Sequence, residues 1–247
     1  MKSIAKKALM AFTGLGLVGF LITHLAGNLY LFMGPAKFNA YALFLEQNPF
    51  LIVAELGLLA IFLVHIIAAI KVTLENRAAR PQAYETRQTA GESSISSRTM
   101  MVTGLVILFF VVIHVKMFKY GEKDGVDGLW GHVIREFAQP QVLIFYLVCM
   151  LALGLHLSHA IGSAFQSLGL RNDSGRPKLG GLGPLLGWGL ALGFASMPLW
   201  AFAAKPKGTG VQTPKELKIE FPKTGENDRK TPGAELKIAD SKTAQVE

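Results

Sequence analysis

Five of the six histidines in this chain of 247 residues fall inside long apolar stretches. They are His24, His65, His114, His156 and His159, while His132 lies in a more polar segment. An ionisable side chain inside a membrane-length apolar segment is costly and marks function by default. A single buried imidazole is readily explained as a hydrogen bond between helices. Four successive stretches that each carry one are harder to explain that way. Imidazoles from separate helices are the usual means of gripping a transition metal.

The elements that must position them are five stretches at about 8–33, 50–74, 99–118, 141–165 and 180–204. Each has roughly 20 residues or more, enough to cross about 30 Å of hydrocarbon at 1.5 Å per residue. In lipid the backbone must satisfy its own hydrogen bonds, so the spacing predicts helices. The expected fold is an all-α membrane protein: four histidine-bearing helices in a bundle, plus a fifth. Charged residues make up 17%, below the roughly 25% of soluble domains. That argues against an ordinary soluble enzyme. The first stretch begins with Lys2, Lys6 and Lys7 as a signal peptide would, but it is too long and holds His24, so it reads as a retained span. Residues 205–247, with nine Lys and Arg against seven acids and few apolar residues, read as a disordered tail after a membrane domain at 1–204. No basic face interleaves with aromatics, so no nucleic-acid partner is expected.

Positive charge sets the expected orientation. The N-terminus, the connection 71–98 (Lys71, Arg77, Arg80, Arg87, Arg98) and the connection 166–179 (Arg171, Arg176, Lys178) are basic. They predict a cytoplasmic N-terminus and, with five spans, a C-terminus outside. The connection 116–140 dissents with Lys116, Lys119, Lys123 and Arg135. In this frame, along outward-running spans, His24 lies 16 residues past Ala8 and His114 16 past Arg98, roughly 24 Å from the inner end. His65 and His156 each lie 15 residues into inward-running spans, roughly 22 Å from the outer end. Two pairs at two levels argue against one four-histidine metal site. They suit two metal centres, each with two axial imidazoles from different helices. Such ligation fits a low-spin haem b that passes electrons. The single cysteine, Cys149, excludes an iron–sulfur cluster, and no Cys-x-x-Cys-His motif offers covalent haem attachment. Small residues beside the histidines (Gly27, Ala68, Ala69, Cys149, Ala152, Ala160 and Ser163) leave room for a porphyrin, though they also suit ordinary helix packing. His159, three residues after His156, is the second choice as ligand or a partner for a haem propionate.

The spans also echo each other. Thr13-Gly14-Leu15 precedes His24 by the interval at which Thr103-Gly104-Leu105 precedes His114, an offset of 90 residues. His65 to His156 repeats at 91. Two similar helix pairs are expected, with the fifth helix added.

The segments Thr-Gly-Leu…His24-Leu-Ala-Gly-Asn-Leu, Phe38-Asn-Ala-Tyr-Ala and Glu55-Leu-Gly-Leu-Leu…His65 carry a resemblance, together with Ser97-Arg-Thr-Met…His114 and His156-Leu-Ser-His-Ala-Ile-Gly. Over about residues 5–204 the chain resembles the five-helix, dihaem cytochrome b membrane anchor of succinate:quinone oxidoreductases, the type B succinate dehydrogenases and fumarate reductases. The resemblance implies that His24 pairs with His114 on an outer haem b and His65 with His156 on an inner one, as depth also suggests. It further implies flavoprotein and iron–sulfur partners on the cytoplasmic face of a bacterial inner membrane, and a quinone, commonly menaquinone, reacting near the outer side. The dicarboxylate chemistry would lie on the flavoprotein, so the chain contributes to the enzyme by electron transfer and reaction with quinone. Dimerisation of the whole complex and the physiological direction are left open.

For quinone protons the outer region offers Asn39, Tyr41, Glu46 and Gln47, with Glu55 early in the second span. Of these, Tyr41, Glu46 and Glu55 are preferred. Lys71, Ser97 and Arg98 are candidate propionate partners for the inner haem and Lys116 for the outer. A cytochrome b of a hydrogenase or formate dehydrogenase is the rival class. A transporter is a further one, but it would show midplane carboxylates and broken helices.

Overall fold

The computed structural model describes residues 3–79, 95–121, 127–170 and 181–204, all within the compact unit Met1–Val211. The expected disordered tail 205–247 lies outside the described residues, as do Arg80, Arg87, Lys123, Arg171, Arg176 and Lys178. The order of elements is α1 (Ser3–Asn28), a 3-10 turn (Leu29–Met33), α2 (Pro35–Glu46), α3 (Leu51–Ala78), α4 (Ile95–Phe118), α5 (Gly128–Phe137), α6 (Pro140–Ser167) and α7 (Leu182–Ala204). No strand occurs among the described residues.

Five helices are long and apolar enough to cross a membrane: Ile4–Met33, Leu51–Ala78, Arg98–Phe118, Pro140–Ser167 and Leu182–Ala204. They match the five expected spans to within a few residues. Their exposed faces carry Leu, Ile, Val and Phe, including Phe12, Leu56, Val102, Phe109 and Leu185. A bilayer accepts such a surface and water does not.

The packing is pairwise. α1 lies against α3, α4 against α6, and α6 most extensively against α7. Glycine explains the last contact. A Cβ on Gly183 would come 2.5 Å from the Ser158 carbonyl oxygen, and one on Gly187 would come 2.7 Å from the Ser158 amide nitrogen. The two backbones therefore touch only because these positions lack side chains, the usual solution where lipid supplies no hydrophobic drive between helices. Pro198 is fully buried inside α7, and Ser196 donates back to the Gly193 carbonyl at 2.6 Å one turn earlier.

Two short helices occupy what the sequence left as connections. Gly34 takes φ 89°, a value that side chains resist, and turns the chain from the 3-10 turn into α2, where Pro35 opens the helix. α5 is buried along Trp130, Val133, Ile134 and Phe137. Asn39 on α2 fastens it: Asn39 Nδ2 donates to the Asp127 carbonyl at 2.8 Å, and Asn39 Oδ1 accepts from the Trp130 amide at 2.9 Å. The Trp130 indole donates to the Leu31 carbonyl at 2.9 Å. Leu31, Phe38, Trp130, Phe137, Tyr146, Met197 and Ala201 form one core at this end of the bundle. The remaining buried cluster runs down α6 and α7 through Cys149, Leu153, Leu157, Ile161 and Leu190.

Candidate functional site: two levels of histidine

His24 on α1 and His114 on α4 face each other edge to face, with ring centroids 5.9 Å apart and planes at 88°. Aromatic rings hold both. His24 stacks on Phe20 at 5.1 Å and meets Phe194 of α7 at 5.8 Å. His114 stacks on Phe110 at 5.4 Å and meets Phe118 at 5.4 Å. The Tyr146 hydroxyl of α6 lies 3.0 Å from His114 Nδ1. Asn28, one turn beyond His24, donates to the His24 carbonyl at 2.8 Å and holds its amide nitrogen 3.4 Å from both ring nitrogens.

His65 on α3 lies against α1 instead. Its Nδ1 is 3.3 Å from Thr13 Oγ1 and 3.3 Å from the Met10 carbonyl. His156 on α6 lies against α4 in the same way, with Nδ1 3.2 Å from Thr103 Oγ1. Thr13 precedes His24 on α1 by eleven residues, and Thr103 precedes His114 on α4 by the same interval. The two levels of imidazole are thus separated by roughly 16 Å of helix.

A glycine follows each of those threonines and lies under the facing ring, tightly only at Gly14. A Cβ on Gly14 would come 3.2 Å from His65 Cε1, and one on Gly104 would come 3.4 Å from His156 Cε1. Sequence reasoning found the Thr-Gly echo but not its role. The signal was present as Met10-x-x-Thr13-Gly14 repeated as Met100-x-x-Thr103-Gly104. Tyr146 and Asn28 were also missed, because neither position carries a pattern in one sequence.

His159 is half-buried, three residues after His156 on α6. His132, the sixth, is buried in α5 with Nε2 2.9 Å from the Met117 carbonyl, a structural contact at the end of α4. Among the described residues no three His, Cys, Asp or Glu side chains gather into a metal cage. The donors come as imidazoles on separate helices instead.

The outer polar candidates are dispersed in role. Tyr41 stacks on Tyr30 at 4.9 Å with nearly parallel planes. Its hydroxyl covers Gly27, where a Cβ would come 2.5 Å from that oxygen. The space expected at Gly27 for a porphyrin is therefore taken by a tyrosine, one turn from His24. Asn39 is committed to the α5 clamp on both amide atoms. Glu46 ends α2 and is exposed; Gln47 caps it. Glu55 forms an ion pair with Lys119, linking α3 to α4, and Glu75 forms one with Lys6, linking α3 to α1. Lys71, Arg98 and Lys116 are exposed, and the Ser97 side chain lies outside the described residues.

Fold and site together define a class: a multi-pass, all-α membrane protein that presents imidazoles from four helices inside its apolar region. Within that class the chain is similar to the succinate dehydrogenase cytochrome b558 subunit of Bacillus subtilis (strain 168). The two are 25% identical over 156 residues, which cover 61% of this chain and 72% of that protein. No family model matches the chain, and no solved structure matches it.

Proposed function

We propose that this chain is the membrane-anchor cytochrome b subunit of a succinate:quinone oxidoreductase, holding two haems b. His24 and His114 would hold the outer haem, and His65 and His156 the inner one. The observation that carries this reading is the two-level arrangement of imidazoles, with His24 and His114 meeting from separate helices at 5.9 Å. The residues fit the group: paired imidazoles on opposite helices, aromatic and aliphatic surroundings, and glycine where the backbone meets a ring. The likeness to the Bacillus subtilis subunit supports the same reading at the level of a membrane cytochrome b anchor.

A bound haem b would supply one-electron transfer without binding oxygen. The protein's part is to hold and insulate. Phe20, Phe110, Phe118 and Phe194 exclude water around the outer pair. Thr13 and Thr103 anchor the inner rings. Electrons would enter from an iron–sulfur subunit, itself fed by a flavoprotein, on a cytoplasmic face that also carries the N-terminus. They would leave to a quinone, with menaquinone favoured, near the opposite face of a bacterial inner membrane. Tyr41, Glu46 and Glu55 are the residues proposed to serve that quinone. Tyr41 is the best placed, since its hydroxyl rests on α1 one turn from His24. Each level having one histidine per helix disfavours the hydrogenase and formate dehydrogenase alternatives.

The test is haem content. Full-length protein produced with haem available and quantified as the pyridine haemochrome should carry two haems b per chain. Folded protein that takes up none overturns the proposal and returns the histidines to transport or to helix packing.

A further inference from the structure

We infer that Thr13 and Thr103 are positioning residues that fix which ring nitrogen of His65 and His156 carries the proton. The inference rests on the haem reading above and adds how the two inner ligands are prepared.

A threonine hydroxyl has one hydrogen to give. Thr13 Oγ1 lies 2.8 Å from the Leu9 carbonyl and 3.1 Å from the Met10 carbonyl, so that hydrogen goes back into the preceding turn of its own helix. What remains on the oxygen is lone pairs. His65 Nδ1 faces this oxygen at 3.3 Å and the Met10 carbonyl, also at 3.3 Å. Both neighbours are acceptors. A neutral imidazole carries one N–H. With the proton on Nδ1, both contacts are favourable. With it on Nε2, a bare nitrogen lone pair would face two oxygen lone pairs in an apolar interior, where such mismatches are costly. Nδ1 therefore holds the proton, and the Nε2 lone pair is left for a metal.

The threonine part of this construction recurs on the other helix pair. Thr103 Oγ1 is 3.0 Å from the Thr99 carbonyl and 3.1 Å from the Met100 carbonyl, and it faces His156 Nδ1 at 3.2 Å. Thr103 is buried and shielded from competing water. A glycine follows the threonine in each motif, and at Gly14 its missing side chain lets the His65 ring lie against the helix backbone. Threonine and glycine together thus form a seat on one helix for the imidazole of the next. The outer pair is built otherwise. His114 faces a phenol that can both give and accept, and His24 faces an amide nitrogen. Acceptors on Nδ1–H make an imidazole a stronger donor to a metal, so the two threonines would favour the ferric state of a haem held by His65 and His156.

The test uses the full chain loaded with haem and the near-isosteric variants Thr13→Val and Thr103→Val. Both variants should raise the midpoint potential and shift the ferric low-spin electron paramagnetic resonance signal of the same haem, while the other haem is unchanged. Haem retention at that level should fall roughly tenfold or more. Thr13→Ser and Thr103→Ser keep the hydroxyl and should restore the wild-type signal. Nitrogen-15 resonance of histidine in the haem-free wild type should show Nδ1–H at both positions. Valine variants that leave both haems unchanged, that move different haems, or whose losses serine does not restore overturn the inference. A wild-type chain that holds no haem defeats the haem reading instead, and the nitrogen spectrum still decides the tautomer.

Discussion

Tyr146 on α6 sets its hydroxyl 3.0 Å from Nδ1 of His114 on α4, and its ring packs on Phe110, Phe118, Phe137 and Phe145. The ring belongs to the core and the oxygen to the site. Tyr146→Phe separates the two roles. The variant should fold with a loss of about 1 kcal/mol, the net worth of one hydrogen bond. Its outer haem signal should shift in redox titration and the inner one should not. A variant with both signals unchanged would leave the hydroxyl without a role at His114.

Gly14 and Gly104 differ in how much room they leave. At 3.2 Å a new Cβ on Gly14 pushes His65, whereas at 3.4 Å one on Gly104 barely touches His156. Gly14→Ala should therefore lower haem retention more than Gly104→Ala, both at the same haem. Spectral titration of haem into the two purified variants measures this. Equal retention would mean that the imidazole seat is softer than its packing suggests.

The α6–α7 contact should be sensitive to any added methyl group. Gly183→Ala and Gly187→Ala drive a Cβ into backbone atoms, which cannot rotate away. Each should cost about 1–3 kcal/mol or more. Gly57→Ala, with nothing within 4 Å of the new atom, is the control and should be neutral or slightly stabilising. Thermal unfolding in detergent compares the three.

Asn39 should behave as a structural clamp. Asn39→Ala removes two hydrogen bonds and strands the Trp130 amide, a loss of about 2–4 kcal/mol. Hydrogen exchange in α5 should speed up while α6 keeps its protection. Uniform exchange across both helices would show that α5 is held by its apolar face alone.

Glu55 allows a sharper reading of the quinone proposal. Glu55→Gln and Lys119→Gln break the same exposed ion pair, which is worth about 1 kcal/mol at most. If the carboxylate handles quinone protons, Glu55→Gln should slow quinone reduction by roughly a hundredfold, while Lys119→Gln should leave it within a few-fold. Equal effects would reduce Glu55 to a bridge between α3 and α4.

The spans were legible because a bilayer imposes length and apolarity on any helix that crosses it, and the five stretches match five helices within a few residues. At the outer level, rise per residue placed His24 and His114 at a similar depth, and their rings lie 5.9 Å apart. The clamp of α2 on α5 was not legible. It depends on one asparagine, 91 residues from Trp130, and polar loops reveal no such partner in a single sequence. Nor could spacing tell that Gly27 is filled by Tyr41, because a glycine on a helix face reads the same whether a cofactor or a ring covers it. The Thr-Gly echo was visible as a pattern, but its meaning required the distances to the facing histidines.

The proposed pairing of haem ligands across helices is tested most directly by four single substitutions, His24→Ala, His65→Ala, His114→Ala and His156→Ala, each followed by low-temperature reduced-minus-oxidised spectra. His24→Ala and His114→Ala should lose one and the same haem, and His65→Ala and His156→Ala the other. Loss of the same haem in His24→Ala and His65→Ala, or two intact haems in any of the four, would contradict the two-level arrangement.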